Sequence, residues 1–170
     1  KPIKKKKLKY VKYLIADISK KKFFQNKIKK DFDIIVNLGG YINHKDKNLA
    51  LDTHYKGCKN LVNYFKNKKI KIFIQIGSSA EYGRQKSPNI EKIGGNAKTI
   101  YAKSKLKATK LFMKLFKTNK SFPFVILRLY QVYGPKQNYN RLIPMVVHNS
   151  LTNKRFDCSD GTQTKDFIYV

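Results

Sequence analysis

Tyr101 and Lys105 stand four positions apart in the run Tyr101-Ala102-Lys103-Ser104-Lys105. On a helix such positions share a face, so a phenol and an ammonium project together. A phenol is a poor base at neutral pH, and a cation held alongside favours its ionised form. The spacing is therefore what a general base built from tyrosine needs. In a chain this rich in lysine a Tyr-xxx-Lys also arises by chance, so its setting carries the weight. It opens a predicted helix about 23 residues beyond Ser78-Ser79, which directly follows an apolar run of strand character.

That setting repeats along the chain as short β-rich runs followed by amphipathic stretches. Tyr10–Ile15 (YVKYLI) precedes a Lys-rich helix candidate at about Lys20–Lys30. Asp33–Leu38 (DIIVNL) leads through Gly39-Gly40 to a helix at about Asn48–Asn67. There Leu51, Tyr55, Cys58, Val62 and Phe65 form one apolar stripe. Lys71–Ile76 (KIFIQI) leads through a Gly/Ser/Pro-rich loop to the clearest helix, about Lys98–Thr118. Its Ala108, Leu111, Phe112, Leu115 and Phe116 are expected inward, with Lys103, Lys107, Lys110 and Lys114 outward. Pro123–Leu129 (PFVILRL) and a turn at Gly134-Pro135 follow. Continuous β-branched runs suit strands buried on both faces, and their alternation with helices implies parallel pairing. The predicted class is α/β, a doubly wound parallel sheet in a single domain over 1–170. Ligands of such sheets bind beyond the carboxyl ends of the strands. This directs attention to Ala16-Asp17-Ile18, Leu38-Gly39-Gly40, Gly77-Ser78-Ser79 and Tyr130 to Gly134. Asp17 alone reads as a helix cap, and the double glycine alone as a turn.

Composition narrows the partners. Lys and Arg number 38 against 10 Asp and Glu, a formal charge of +28. Only Arg84, Arg128, Arg141 and Arg155 are arginine, the residue that reads phosphates and guanine edges bidentately. The charge is read as a solvated lysine surface, and no nucleic acid is expected as partner. Cys58 and Cys158 lie far apart without metal-ligand spacing, so neither a metal site nor a disulfide scaffold is expected. That usage fits a reducing cytoplasm. No apolar run approaches the ~18 residues of a membrane span, and no apolar region of leader length follows Lys1–Lys9.

With these residues on the page, QIGSSAEYG (75–83), YAKSK (101–105), LRLYQVYGP (127–135), RLIP (141–144) and KDFIYV (165–170) resemble the extended short-chain dehydrogenase/reductases. These are the NAD-dependent epimerase/dehydratase enzymes acting on nucleotide sugars. The resemblance runs from Tyr13 to the end of the chain. It implies a catalytic set of Ser78, Tyr101 as base and Lys105 as its cofactor-anchoring partner. It implies NAD as cofactor, with NADP left open. Asp17 and Ile18 would meet the adenine, and Leu38, Gly39 and Gly40 would run along the dinucleotide. Ile76, Tyr101, Lys105 and Tyr130 complete the implied cofactor contacts. Ser79, Gln131, Arg141, Leu142 and Lys165 fall where the nucleotide-sugar substrate is held, the substrate part starting near 136–170. A homodimer is expected for the full-length protein.

The chain departs from that pattern in places. His54 and Cys58 replace an asparagine and a threonine, Gln131 an asparagine and Lys165 an arginine. His54 is expected as a partly exposed helix residue beside the cofactor rather than a catalyst; His44 and His148 read as surface. Dehydratases resembling this family place an acidic pair where Ser79 and Ala80 stand, and Glu81 comes one step too late. Epimerase or keto-reductase chemistry is therefore favoured over 4,6-dehydration. No GxGxxG or GxxGxxG occurs among the nine glycines, and the chain begins without methionine. It is read as a fragment lacking the first two strands of the sheet, inactive alone. A non-catalytic basic α/β protein gripping nucleic acid through lysines is the alternative of another class. Such a module has no need of the Ser78, Tyr101 and Lys105 set.

Overall fold

The computed structural model describes residues 8–21, 28, 31–41, 46–92 and 95–170. Three strands form one parallel sheet: β1 (Ile34–Asn37), β2 (Ile72–Ile76) and β3 (Phe124–Leu127), adjacent in that order. Ile34 aligns with Ile72 and Phe73 with Phe124, so the predicted runs pair in the predicted sequence. The class is α/β with a Rossmann-like parallel sheet. A separate parallel pair joins β4 (Gln131–Tyr133) to β5 (Phe167–Tyr169).

Between β1 and β2 runs a helix over 47–65, α1, started by Asp46, whose side chain accepts from the amides of Asn48 and Leu49 at 3.0 Å. Its middle, Asp52–Gly57, is wound as a π-helix. The wider turn brings Ala50 and His54 onto the inner face with Cys58, Leu61, Val62 and Phe65. Leu51 and Tyr55, expected on the stripe, lie half-buried at its margin. The second crossover is α2 (Ile100–Thr118), capped by Thr99, which accepts from Ala102 N at 3.1 Å. Ala108 and Phe112 are buried and the four named lysines exposed, as expected. Phe116 is 46% exposed at the margin of the core, its ring edge-on to Phe124 of β3 at 6.2 Å.

Phe73 at the centre of β2 is fully buried between both helices, its ring 5.3 Å from Phe112 and 6.0 Å from Phe122. Cys58, Val62 and Phe65 close the cluster from α1. Burial of each such side chain is worth roughly 1.5–3 kcal/mol. The core thus fixes the helix carrying Tyr101 and Lys105 against the strand leading to Ser78.

Residues 10–15 form no strand. Tyr10 and Ile15 are largely exposed, and among the described residues nothing pairs with the outer edge of β1. An apolar alternating run becomes a strand only with a neighbour to take its hydrogen bonds. The chain is anchored just beyond, where Asn60 Nδ2 donates to the carbonyls of Ile18 (2.9 Å) and Ser19 (2.8 Å). Most of the Lys20–Lys30 helix candidate, and His44, lie outside the described residues. An unexpected helix, α3 (Leu142–Leu151), has no buried residue. Among the described residues no helix is long and apolar enough to cross a membrane, and no cluster of His, Cys, Asp or Glu could hold a metal ion.

Candidate active site

The Ser78 turn grows directly from β2. Gly77 N donates to Leu127 O (2.8 Å) and Ser79 N to Leu129 O (2.9 Å), prolonging the ladder past the strand end. A Cβ on Gly77 would stand 2.7 Å from Glu81 Oε1 and 3.2 Å from Arg128 Cγ, so a side chain there would displace the buried carboxylate. Ser78 is buried and starts a 3-10 turn, Ser79–Glu81; its Oγ accepts from Ala80 N at 3.2 Å, and its amide donates to Glu81 Oε1 at 2.8 Å. This reciprocal capping box holds the hydroxyl in one place.

Tyr101 and Lys105 come from the first turns of α2. Lys105 is buried and its Nζ donates to Ile76 O at 2.9 Å, which fixes the ammonium over the carboxyl end of β2. Burial pushes its pKa below the ordinary lysine value, with the Glu81 carboxylate pulling the other way. Tyr101 is half-buried, its ring 5.2 Å from that of His54 and nearly perpendicular to it.

His54 is not partly exposed as expected. It is 3% exposed in the π-helical turn, with Nε2 3.3 Å from the Tyr41 amide nitrogen and 3.4 Å from its carbonyl oxygen. The π winding that turns position 54 inward also presses it against Gly40, where a Cβ would meet the imidazole at 3.2 Å. Cys58 is core as expected; burial pushes its thiol up to about 12, and Sγ donates to Gln75 Oε1 at 3.2 Å.

These groups open on a cleft of about 740 Å³ across the carboxyl ends of the strands. It contains Leu38 and Gly40 from beyond β1, Ser78 and Ser79 from beyond β2, and Tyr130 and Gln131 from beyond β3. Tyr101, Lys105, Arg141 and Lys165 complete the named set. A contiguous lobe of about 290 Å³ shares Ser78, Tyr101, Lys105, Tyr130, Gln131 and Arg141 and adds Ile76 and Leu142. Asp17, Ile18 and Gly39 do not line it. Asp17 Oδ1 accepts from Ser19 N (2.9 Å) and Ser19 Oγ (2.7 Å), bonds that hold its carboxyl below the usual range. Ile18 Cδ1 fills the space that a Cβ on Gly39 or Gly57 would take, at 2.9 and 2.8 Å.

Sequence reasoning missed a buried polar group behind the cleft. Glu81 is fully buried, 3.3 Å from Arg128 Nε, and accepts from Thr109 Oγ1 at 2.7 Å. Two signals were present. Ser78-x-x-Glu81 is a capping-box pattern, and an arginine ending an apolar strand run needs a partner when buried.

Known proteins of similar sequence and fold give the family. The model of the NAD dependent epimerase/dehydratase family matches residues 2–170. A dTDP-D-glucose 4,6-dehydratase of Dictyostelium discoideum is 29% identical over 165 residues, covering 84% of this chain and 36% of the relative. An ADP-L-glycero-D-manno-heptose-6-epimerase of Brachyspira hyodysenteriae is 26% identical, covering 74% of this chain and 42% of that protein. Among solved structures, UDP-glucuronic acid 4-epimerase from Bacillus cereus in complex with UDP-glucuronic acid and NAD superposes with a TM-score of 0.73 at 28% identity. It covers 91% of this chain and 48% of that one. The chain thus spans half or less of the length of these relatives. With the parallel sheet, the cleft and the family match in agreement, the chain belongs to the NAD dependent epimerase/dehydratase family.

Proposed function

We propose that the full-length protein is an NAD-dependent epimerase or keto-reductase acting on a nucleotide sugar. The observation that carries this reading is the convergence of Ser78, Tyr101 and Lys105, from two different elements, on one cleft. The chemistry of the lining suits an anionic dinucleotide and an anionic substrate. Lys105, Arg141 and Lys165 face it, and Asp166 is the one acidic residue among the described lining residues. Lys105 and Tyr101 would hold the nicotinamide half of NAD, with Leu38 and Gly40 alongside; NADP would meet the same groups. Arg141 and Lys165 would pair with substrate phosphates, and Ser79 and Gln131 would meet the sugar. Asp17, Ile18 and Gly39 stay assigned by resemblance to the adenine end.

When bound, NAD supplies the acceptor for a hydride from the sugar carbon and the donor that returns it. Tyr101 accepts the proton of the hydroxyl on that carbon through its phenolic oxygen, so that loss of proton and hydride leaves a ketone. Ser78 Oγ, accepting from the Ala80 amide, donates its own hydrogen to the same sugar oxygen and steadies the charge that shifts onto it. Lys105 keeps a positive charge fixed beside this step. Tyr101 would give that proton back to the sugar oxygen as the ketone is reduced on its opposite face, which would yield the epimer.

The alternative within the family is a 4,6-dehydratase. Water elimination needs an acid facing the sugar. Ser79 and Ala80 line the cleft, while the adjacent acid, Glu81, is fully buried against Arg128 and Thr109. This favours epimerase or reductase chemistry. The cytoplasm and a homodimer are the setting proposed from the resemblance. The test is incubation of the full-length protein and NAD with UDP- and dTDP-hexoses, followed by chromatography of the sugars. Epimerised hexose is expected with NAD, or reduced sugar when a nucleotide keto-hexose and NADH are supplied instead. Release of a dehydrated keto-sugar would replace the reading with the dehydratase, and unchanged sugars in both incubations would overturn it.

A further inference from the structure

Glu81 contributes nothing to the cleft surface, yet its carboxylate joins three of the elements that build the cleft. Oε1 accepts from the Ser78 amide at 2.8 Å. Oε2 accepts from Thr109 Oγ1 at 2.7 Å and faces Arg128 Nε at 3.3 Å. Thr109 stands one helical step of four beyond Lys105 and two beyond Tyr101, so all three share a face of α2. Arg128 directly follows β3, with its guanidinium 4.7 Å over the Tyr82 ring, two residues before the cleft residue Tyr130.

A capping box needs one carboxylate oxygen and works at the surface of a protein. Full burial of the acid beside an arginine adds desolvation that the attraction offsets only in good geometry, and a buried ion pair is weak evidence for stability. What the second oxygen adds here is registry. It ties the Ser78 turn to the helix of Tyr101 and Lys105 and to the segment that leads from β3 to Tyr130. The backbone closes around it: a Cβ on Gly77 would crowd Oε1 and one on Gly95 would overlap the Glu81 carbonyl.

We infer that Glu81 is a positioning residue, which through Thr109 and Arg128 sets the place of the Ser78 hydroxyl relative to Tyr101 and Lys105. The inference rests on the functional reading above. The test uses the full-length protein and a hexose it turns over, with Glu81→Gln, Thr109→Val, Ser78→Ala and the double variant Glu81→Gln/Ser78→Ala. Glu81→Gln keeps the shape and removes the charge. Its kcat should fall roughly 10- to 100-fold, the cost of displacing a reacting group by about an ångström, with KM within about twofold. In the Ser78→Ala background the same substitution should cost less than about twofold, because its route to the chemistry is gone. Thr109→Val leaves the ion pair in place and should lower kcat in the same direction, so the test survives if Glu81→Gln does not fold. A lower melting temperature with unchanged kcat for Glu81→Gln and Thr109→Val would make the cluster merely structural and overturn the inference. Losses that multiply with Ser78→Ala would also overturn it. Full turnover by Ser78→Ala would overturn the functional reading, and the inference with it.

Discussion

Replacing Tyr101 by phenylalanine removes one oxygen and leaves the rest of the site in place. The ring stays, so its edge contact with His54 at 5.2 Å is kept, and the side chain is only half-buried. Stability should move by no more than about 0.5 kcal/mol. Among the described residues, Lys105 and His54 beside the ring are already engaged elsewhere. Lys105 is a donor committed to Ile76 O at 2.9 Å, and His54 Nε2 is engaged with the Tyr41 backbone. The whole general-base contribution should therefore vanish, a fall in kcat of roughly 10²–10⁴. At about 1.36 kcal/mol per decade that is about 2.7–5.4 kcal/mol of transition-state stabilisation. The assay is steady-state turnover of a nucleotide hexose by the full-length protein, with cofactor affinity measured by titration of intrinsic fluorescence. Cofactor affinity should stay within about twofold. Unchanged turnover would refute the assignment of Tyr101 as base. An equal loss of cofactor affinity would show instead that the phenol serves binding.

Phe73→Ala empties the centre of the core and should cost about 3–5 kcal/mol, a drop of roughly 6–20 °C in melting temperature; a drop under about 3 °C would mean that Phe73 does not anchor β2 to both helices. The thiols should separate under a maleimide in native buffer: exposed Cys158 reacts, and Cys58, buried with its pKa near 12, reacts only on unfolding. Lys105 has a folded pKa below the ordinary 10.5, so between the two values the unfolded chain holds more protons and stability rises with pH. Relative to Lys105→Met, the parent should therefore gain melting temperature as pH climbs toward 10.5, and a flat difference would contradict the burial of a charged ammonium. The 170-residue chain by itself exposes Ile34, Val36 and Leu38 at the β1 edge; it should bind a hydrophobic dye and turn over no nucleotide sugar, and dye-free, active protein would contradict this.

Much of this architecture was legible because local patterns were strong and their partners were present. IIVN, IFIQI and FVIL are β-branched or aromatic runs with a neighbour on at least one side, and each became a strand within the bounds expected. Tyr10–Ile15 has the same pattern and no pairing partner among the described residues, and it became none. Pairing is a non-local property that periodicity does not carry. The same limit explains α1, whose π-helical turn shifts the inner face to Ala50 and His54. Ser78, Tyr101 and Lys105 were readable because spacing on one helix and position after one strand define them. Glu81 was not, since its meaning depends on Thr109, 28 positions away, and on Arg128, just past the end of β3. Asp17 differs: a helix cap was the plain local reading, while the structure holds its carboxylate in a turn, accepting from Ser19, and most of the helix candidate lies outside the described residues.

The most direct test of the central claim follows a hydrogen rather than a residue. The full-length protein and NAD are mixed with a nucleotide hexose carrying deuterium on the carbon that is inverted, in ordinary water, and the product is read by mass spectrometry and NMR. Oxidation by hydride transfer with Tyr101 handling only the hydroxyl proton predicts that deuterium remains on the same carbon of the epimer. Washout of the label to solvent would mean that the carbon-bound hydrogen leaves as a proton, and it would contradict the account at its root.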